Sequence, residues 1–298
     1  MIAPQAGPDM AAGPLPAFSF GEAPLVSGRG PILDAARAGD HYAELYSFWD
    51  NGRAGPEAMA RAEPRPAAAA RARAAGGVHS EVAKHAGRLD EILAAAAASP
   101  TAMKVLRSVR GLARGRGAVP VRFKELGNSL GEYDYFKNVL YLSLPYLHGD
   151  TANAAATVTH ELIHILQHAQ DLPAESLEME MEAHIVTLQV MAELGIRSQP
   201  GSFSEAMVRE LRKSPEAFVA FMRDQLPGKL YLEDDDFESL RDSLEDDADH
   251  YTDSTRLKWI NRDLGILNSR SGRMRYRQFC VRVHNLIRRS HQALNRDT

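Results

Sequence analysis

The sequence predicts an α+β fold that is mostly helical, with a small β-hairpin or sheet before a central helix and a helical C-terminal part. Three observations support this prediction. Apolar residues recur with the 3.6-residue period of a helix over most of the chain after Val78. One short region, residues 119–144, instead shows the alternation typical of β-strands. The residues before Val78 are rich in alanine, proline and glycine and carry few large apolar side chains.

The first 77 residues are predicted to be a largely flexible region of low sequence complexity, with one helix at 32–49. Residues 78–298 are predicted to form one ordered domain with a helical C-terminal subdomain. Its first elements are a helix at Val78–Ser99, ended by Pro100, and a second helix at Thr101–Leu112.

Three strands and then a series of helices are predicted to follow. The strands are Val119–Phe123, Gly131–Tyr135 and Val139–Leu144, and the last two flank a turn at residues 136–138. A long helix at Thr151–Ala169 comes next, with Asp150 or Thr151 as its N-cap. Further helices are predicted at Glu175–Leu194, from Ser202, from Ser214, at Glu233–Asp249 and at Arg270–Arg289.

Composition excludes several functional classes. The formal net charge of −4 gives no global basic field for nucleic acid, and none is expected as a partner. No apolar run approaches the roughly 18 residues of a membrane span. The N-terminus has no secretory signal pattern, and the single Cys280 cannot form an internal disulfide. We therefore expect a cytoplasmic protein, with non-classical export as the alternative, and the sequence leaves the oligomeric state open.

The pentamer His160-Glu161-Leu162-Ile163-His164 carries the chemistry. On a helix, its two histidines lie one turn apart on the same face and can share a metal ion, for which we expect Zn²⁺. Glu161 lies beside them, where it can act as general base and acid towards a metal-activated water. Such a pentamer arises by chance in about a few sequences per hundred of this kind. Its apolar flanks strengthen the prediction, because a buried helix has little reason to carry a row of imidazoles.

A catalytic zinc site needs a third protein ligand, which is expected in the next helix. Glu180 lies near the apolar side of that helix, one turn before His184. Glu178 and Glu182 share a different face. Glu180 is therefore the predicted third ligand and Glu182 the alternative. The apolar side that decides this is formed by Leu177, Met181, His184, Ile185, Leu188 and Met191.

The pentamer and the segment Glu180-Met181-Glu182-Ala183-His184 together resemble the catalytic core of gluzincin-type metallopeptidases. In that family, the helix with the two zinc-binding histidines is followed by a Glu-x-x-(Ala/Ser)-Asp pattern. The Glu of that pattern binds zinc and the Asp supports the first histidine. His184 stands here in place of that Asp. The resemblance covers residues 119–194 and implies a zincin-like core that hydrolyses peptide bonds in a peptide or protein substrate.

The same resemblance assigns a role to the strand before the zinc helix. Gly131, Glu132 and Tyr133 would form an edge strand that pairs with the backbone of an extended substrate. His184 and His168 are candidates to contact the metal-binding side chains and orient them without binding the metal themselves. The oxyanion of the reaction would need a further Tyr or His, and the sequence does not choose among Tyr231, His250, Tyr251 and His284.

Two other functions remain open at this stage. One is a zinc hydrolase that acts on a non-peptide amide, which the same metal chemistry would serve. The other is a catalytically silent helical interaction protein that retains the metal fold. Substrate screening separates the first from a peptidase, and a protein that binds zinc without hydrolysing any peptide would be the second.

Overall fold

The computed structural model describes residues 77–127, 129–233, 236–250 and 254–296. The predicted flexible region before Gly77, with its helix at 32–49, lies outside the described residues.

A four-stranded sheet forms the first layer of the fold. Its strands are β1 (Val78–Ser80), β2 (Val119–Lys124), β3 (Gly131–Asp134) and β4 (Val139–Ser143). The spatial order is β1-β2-β4-β3, in which β1, β2 and β4 run parallel and β3 runs antiparallel to β4. A tight turn joins β3 to β4, and Asn138 adopts a positive φ of 52° there, which asparagine tolerates better than most residues. The order places β3 at an edge of the sheet.

The prediction of one helix over Val78–Ser99 is wrong in its first third. Val78–Ser80 is the strand β1, which pairs in parallel with Val119–Val121. The helix itself, α1, covers only Ala86–Ala96. The local pattern misled because the hydrogen-bond partner of β1 lies about forty residues further along the chain, and such long-range pairing leaves no periodic signal in a three-residue strand.

The helices account for most of the described residues, so the fold is α+β and mostly helical, as predicted. After α1 they are α2 (Pro100–Arg116), α3 (Thr151–Ala169), α4 (Leu177–Glu193), α5 (Phe203–Lys213), α6 (Pro215–Gln225), α7 (Phe237–His250), α8 (Ser254–Asn268) and α9 (Arg270–Arg296). Four of them begin with a side-chain cap from Ser99, Asp150, Ser202 or Ser214. In the described part of the chain, no helix is long and apolar enough to cross a lipid bilayer.

Helix α3 lies at the centre of the core. It packs against α1, α2 and α4 and against strand β3. Its apolar side chains Val158, Leu162 and Ile163 are fully buried, and each such side chain stabilises the fold by about 1.5–3 kcal/mol. The sheet and the helices around α3 therefore determine where the polar residues of this helix lie.

A buried carboxylate fastens α4 to the C-terminal helices. Glu178 is fully buried, and it accepts hydrogen bonds from the hydroxyls of Ser176 and Tyr276, both at 2.8 Å. It also accepts one from the backbone N–H of Leu232, at 2.9 Å. These three donors replace the hydrogen bonds that the carboxyl group would make with water, so its burial is compensated. Glu178 thus has a structural role and ties α4 to α9 and to the chain before α7.

Gly131 allows β3 to lie directly against α3. A Cβ atom at this position would lie 2.8 Å from Cγ of Glu161 and 2.9 Å from Cγ2 of Thr157. We expect Gly131→Ala to lower the free energy of unfolding by about 1–3 kcal/mol, because strand and helix would have to separate. Gly265→Ala, in the exposed middle of α8 with no atom within 4 Å of its Cβ, should be neutral or stabilising. Urea unfolding of both variants checks this, and equal stabilities would contradict it.

Candidate metal centre

Two helices bring three potential metal ligands together. Helix α3 presents His160 and His164, whose Nε2 atoms lie 3.2 Å apart. Helix α4 brings Glu180, whose Oε2 lies 3.9 Å from Nε2 of His160 and 3.7 Å from Nε2 of His164. These side chains form a group that could hold a metal ion.

The spacing of the three atoms matches a small metal ion. The three atoms are separated by 3.2, 3.9 and 3.7 Å, close to the distance of about 3.4 Å between donors that bind one zinc ion tetrahedrally with bonds of about 2.1 Å. All three side chains also point their ligand atoms at one another rather than at solvent. The donors therefore fit a metal ion without rearrangement of either helix.

Thr187 fixes the tautomer of His160. Its hydroxyl donates to the carbonyl of Ala183 at 2.7 Å, so its oxygen is left to accept a hydrogen bond. Nδ1 of His160 lies 3.2 Å from this oxygen and must carry the proton. The lone pair of the neutral ring is then on Nε2, which faces the ligand group.

Gln167 does the same for His164. Its amide nitrogen donates to the carbonyl of Met179 at 2.9 Å and to Oε2 of Glu182 at 2.7 Å. Its amide oxygen therefore accepts from Nδ1 of His164, at 2.7 Å. The second imidazole also presents an unprotonated Nε2. Glu182 is hydrogen-bonded to Gln167 and is not part of the group that could hold a metal ion. Glu180 is part of that group.

The charges of the three ligands suit a cation. Burial lowers the pKa of His160 and His164, so both rings are neutral at neutral pH. Burial alone would raise the pKa of Glu180, but Lys229 and the neighbouring histidines together outweigh burial and hold this pKa at about 2. The site thus offers two neutral nitrogens and one ionised carboxylate.

Glu161 points from the same helix towards the edge strand. Its carboxyl is buried and lies close to the backbone of Gly131. Burial, together with the nearby Glu180 and Glu132, raises the pKa of Glu161 well above its ordinary value, and a hydrogen bond from the backbone N–H of Tyr133 opposes this shift. Burial also raises the pKa of Glu132. The predicted general base therefore lies between the ligand group and the predicted substrate strand.

Lys229 was not predicted from the sequence. Its ammonium group lies 3.3 Å from Oε1 of Glu180 and 3.6 Å from Oε2 of Glu175. The same side chain lines a cleft of about 670 Å³ that is bordered by α6, the 226–233 segment and α7. Lys229 therefore lies between a carboxylate of the potential ligand group and an open cleft.

The other predicted histidines do not bind the ligand nitrogens. His184 packs its ring against His160 with centroids 4.6 Å apart, and burial lowers the pKa of His184 to about 4. The hydrogen bond from Nδ1 of His160 goes instead to Thr187. His168 lies with its Nδ1 3.0 Å from the hydroxyl of Tyr133, where it joins α3 to the edge strand.

Of the four oxyanion candidates, two are paired with each other. The hydroxyl of Tyr231 lies 3.2 Å from Nε2 of His284 on α9. Tyr251 and the side chain of His250 lie outside the described residues. Tyr231 and His284 therefore contact each other, and neither belongs to the group formed by His160, His164 and Glu180.

The sequence held a signal for only some of the supporting residues. Thr187 lies seven residues, or two helical turns, after Glu180, so its position on the same face of α4 could have been found from helical phase. Gln167 follows His164 by three residues on α3 in the same way. Lys229 lies in a loop far along the chain, and no local pattern connects it to Glu180.

Comparison with known proteins adds no family to this description. The chain matches no protein-family model, no curated protein and no solved structure.

Thr187→Val tests the support of His160. We expect the variant to bind zinc about tenfold more weakly, because the Nδ1–H group of His160 loses its acceptor. Thr159→Val is the matched control, since the buried Thr159 hydroxyl also donates to the carbonyl four residues before it, that of Ala155, and not to an imidazole. Competition with a chromophoric zinc chelator measures both affinities. An equal loss in the two variants would mean that only helix stability had changed.

Glu182 predicts a pH dependence of stability. Burial raises its pKa from 4.5 to about 8 in the folded protein. The protonated carboxyl therefore contributes stability that is fully present below pH 4.5 and lost as the pH rises through about 8. Glu182→Gln has no such proton to lose.

We expect metal-free wild type to lose stability relative to Glu182→Gln by a few kcal/mol between about pH 5 and pH 8.5. Urea unfolding of both proteins in the presence of a chelator, at several pH values, checks this difference. Parallel stability curves would show that Glu182 is already ionised in the folded state.

Proposed function

We propose that the protein is a zinc-dependent metallopeptidase. The observation that supports this most directly is the arrangement of His160, His164 and Glu180 around one point, with Glu161 on the same helix turned towards the edge strand. Two imidazoles and one carboxylate are a ligand set of catalytic zinc sites, in which a fourth position is left for water or substrate.

Zinc is favoured over the other common ions by the chemistry of the donors. Calcium and magnesium prefer sites made of oxygen atoms alone, and the absence of a thiolate from the group argues against the soft-metal sites. When bound, zinc would supply Lewis acidity that activates water and polarises a substrate carbonyl.

Glu161 would move the proton. A buried carboxylate binds a proton more tightly than one in water, which suits a group that accepts a proton at neutral pH and then returns it to the leaving amine. The backbone N–H of Tyr133 and the proximity of Gly131 hold this carboxyl on the side of α3 that faces the strand. His160 and His164 remain neutral and keep their Nδ1 protons, which they donate to Thr187 and Gln167.

The edge strand supports a peptide as substrate. Among the described residues, strand β3 pairs with β4 alone, and an extended peptide can add to its other side through backbone hydrogen bonds. Gly131, Glu132 and Tyr133 lie on this strand beside Glu161. A peptide bound there would pass its backbone directly in front of the predicted base.

Metal analysis and hydrolysis of a peptide library test this function together. We expect about one zinc per chain in the wild type and in Glu161→Gln, and none in Glu180→Gln. Glu182→Gln should retain the metal, because Glu182 contacts Gln167 rather than the ligand group. Glu161→Gln should hydrolyse peptides at least about 100-fold more slowly than the wild type.

Each part of the result has its own meaning. Full peptidase activity in Glu161→Gln would exclude the proposed role of that residue. Zinc binding without hydrolysis of any peptide would point to a non-peptide amide substrate or to a silent protein. A wild type that binds no zinc after reconstitution would remove the basis of the proposal.

A further inference from the structure

Lys229 and the two imidazoles contact different oxygens of Glu180. Its ammonium group lies 3.3 Å from Oε1, while Oε2 faces the two imidazoles at 3.9 and 3.7 Å. Only 6% of the Glu180 side chain and 15% of the Lys229 side chain are exposed, so solvent screens this ion pair less than one at the surface.

The division of the oxygens matters for metal binding. A carboxylate with both oxygens available can bind one ion through both of them and so occupy two coordination positions. A carboxylate with one oxygen held by an ammonium group binds through the other oxygen alone. A catalytic zinc site keeps a position open, and a second oxygen from Glu180 would compete for it.

We propose that Lys229 is a positioning residue of the metal centre, which holds Oε1 of Glu180 so that this ligand binds the metal through Oε2 alone. This inference rests on the proposed zinc site. Glu175 supports it from the other side, because Oε2 of Glu175 lies 3.6 Å from the same ammonium group and keeps it between the two carboxylates.

The loop that carries Lys229 is anchored without its side chain. The backbone N–H of Leu230 donates to the carbonyl of Glu175 at 2.8 Å, and the carbonyl of Leu230 accepts from Leu177 at 2.7 Å. These bonds fix the loop to the start of α4. The backbone of this loop is therefore held independently of the Lys229 side chain, whose position over Glu180 points to a role at the metal.

Cobalt substitution tests the inference by a signal that does not depend on activity. Cobalt(II) in a four-coordinate site absorbs visible light more strongly than cobalt(II) with five or six ligands, so the band reports the number of bound atoms. Metal-free wild type, Lys229→Met and Lys229→Arg are each titrated with cobalt(II). Lys213→Met is the control, because Lys213 pairs with Glu210 on the exposed surface of α5.

We expect the cobalt band of Lys229→Met to be about twofold weaker than that of the wild type, and Lys229→Arg to restore most of it. Lys213→Met should match the wild type. Thermal unfolding of each variant establishes that it is folded, and Lys229→Ala is measured in place of Lys229→Met should that variant not fold.

The outcomes separate this inference from the proposed function. A wild type with a strong cobalt band and a Lys229→Met variant with the same band would overturn the role of Lys229 and leave the zinc site intact. A wild type without any cobalt band would overturn both. The cobalt band could also be weakened equally in Lys229→Met and Lys229→Arg. That result would show that the shape of the lysine matters, and not the positive charge that holds Oε1 of Glu180, and it would also overturn the inference.

Discussion

The contact between α3 and α4 buries polar side-chain atoms, and each of these atoms needs a hydrogen-bond partner. An unpaired buried polar group costs about 1–3 kcal/mol, so each of these atoms constrains its neighbours. Thr187, Gln167 and the carbonyls of Ala183 and Met179 receive or supply the hydrogen bonds that the two histidines require. The orientation of the imidazoles, and with it the ligand group, follows from this requirement.

Three glutamates of α4 have different surroundings and therefore different roles. Glu178, Glu180 and Glu182 follow one another at intervals of two residues, and all three are buried. Three hydrogen-bond donors surround Glu178, a lysine and two imidazoles face Glu180, and a single amide bonds Glu182. The number and charge of the partners, rather than the residue type, distinguish the three. They give Glu178 a structural role, place Glu180 in the group that could hold a metal ion, and make Glu182 a support of Gln167.

The sequence predicted what depends on local periodicity. The pentamer, the long helix around it, the hairpin of β3 and β4, and Glu180 as the glutamate of the ligand group all follow from spacing along one or two adjacent elements. Phase could not show that Glu178 and Glu182 are buried as well, because α4 is enclosed by α3 and α9 on several sides. Strand β1 and Lys229 were missed for a related reason. Each acquires its role from a partner distant in the chain, and no pattern within a window of ten or twenty residues records such a partner.

The replacement of aspartate by His184 changes the charge around the ligands. The gluzincin pattern would place a carboxylate behind the first histidine, whereas His160 here meets the neutral Thr187 and the ring of His184. His164 likewise meets a neutral amide. The only ionised ligand, Glu180, is paired with Lys229. Since an anion behind a ligand makes it a better donor and a cation makes it a poorer one, a metal ion held by this group would keep more of its own positive charge. Weaker donation lowers affinity but strengthens Lewis acidity. In the proposed zinc site, the departure from the gluzincin pattern that removes a supporting carboxylate would therefore favour a reactive metal ion over a purely structural one.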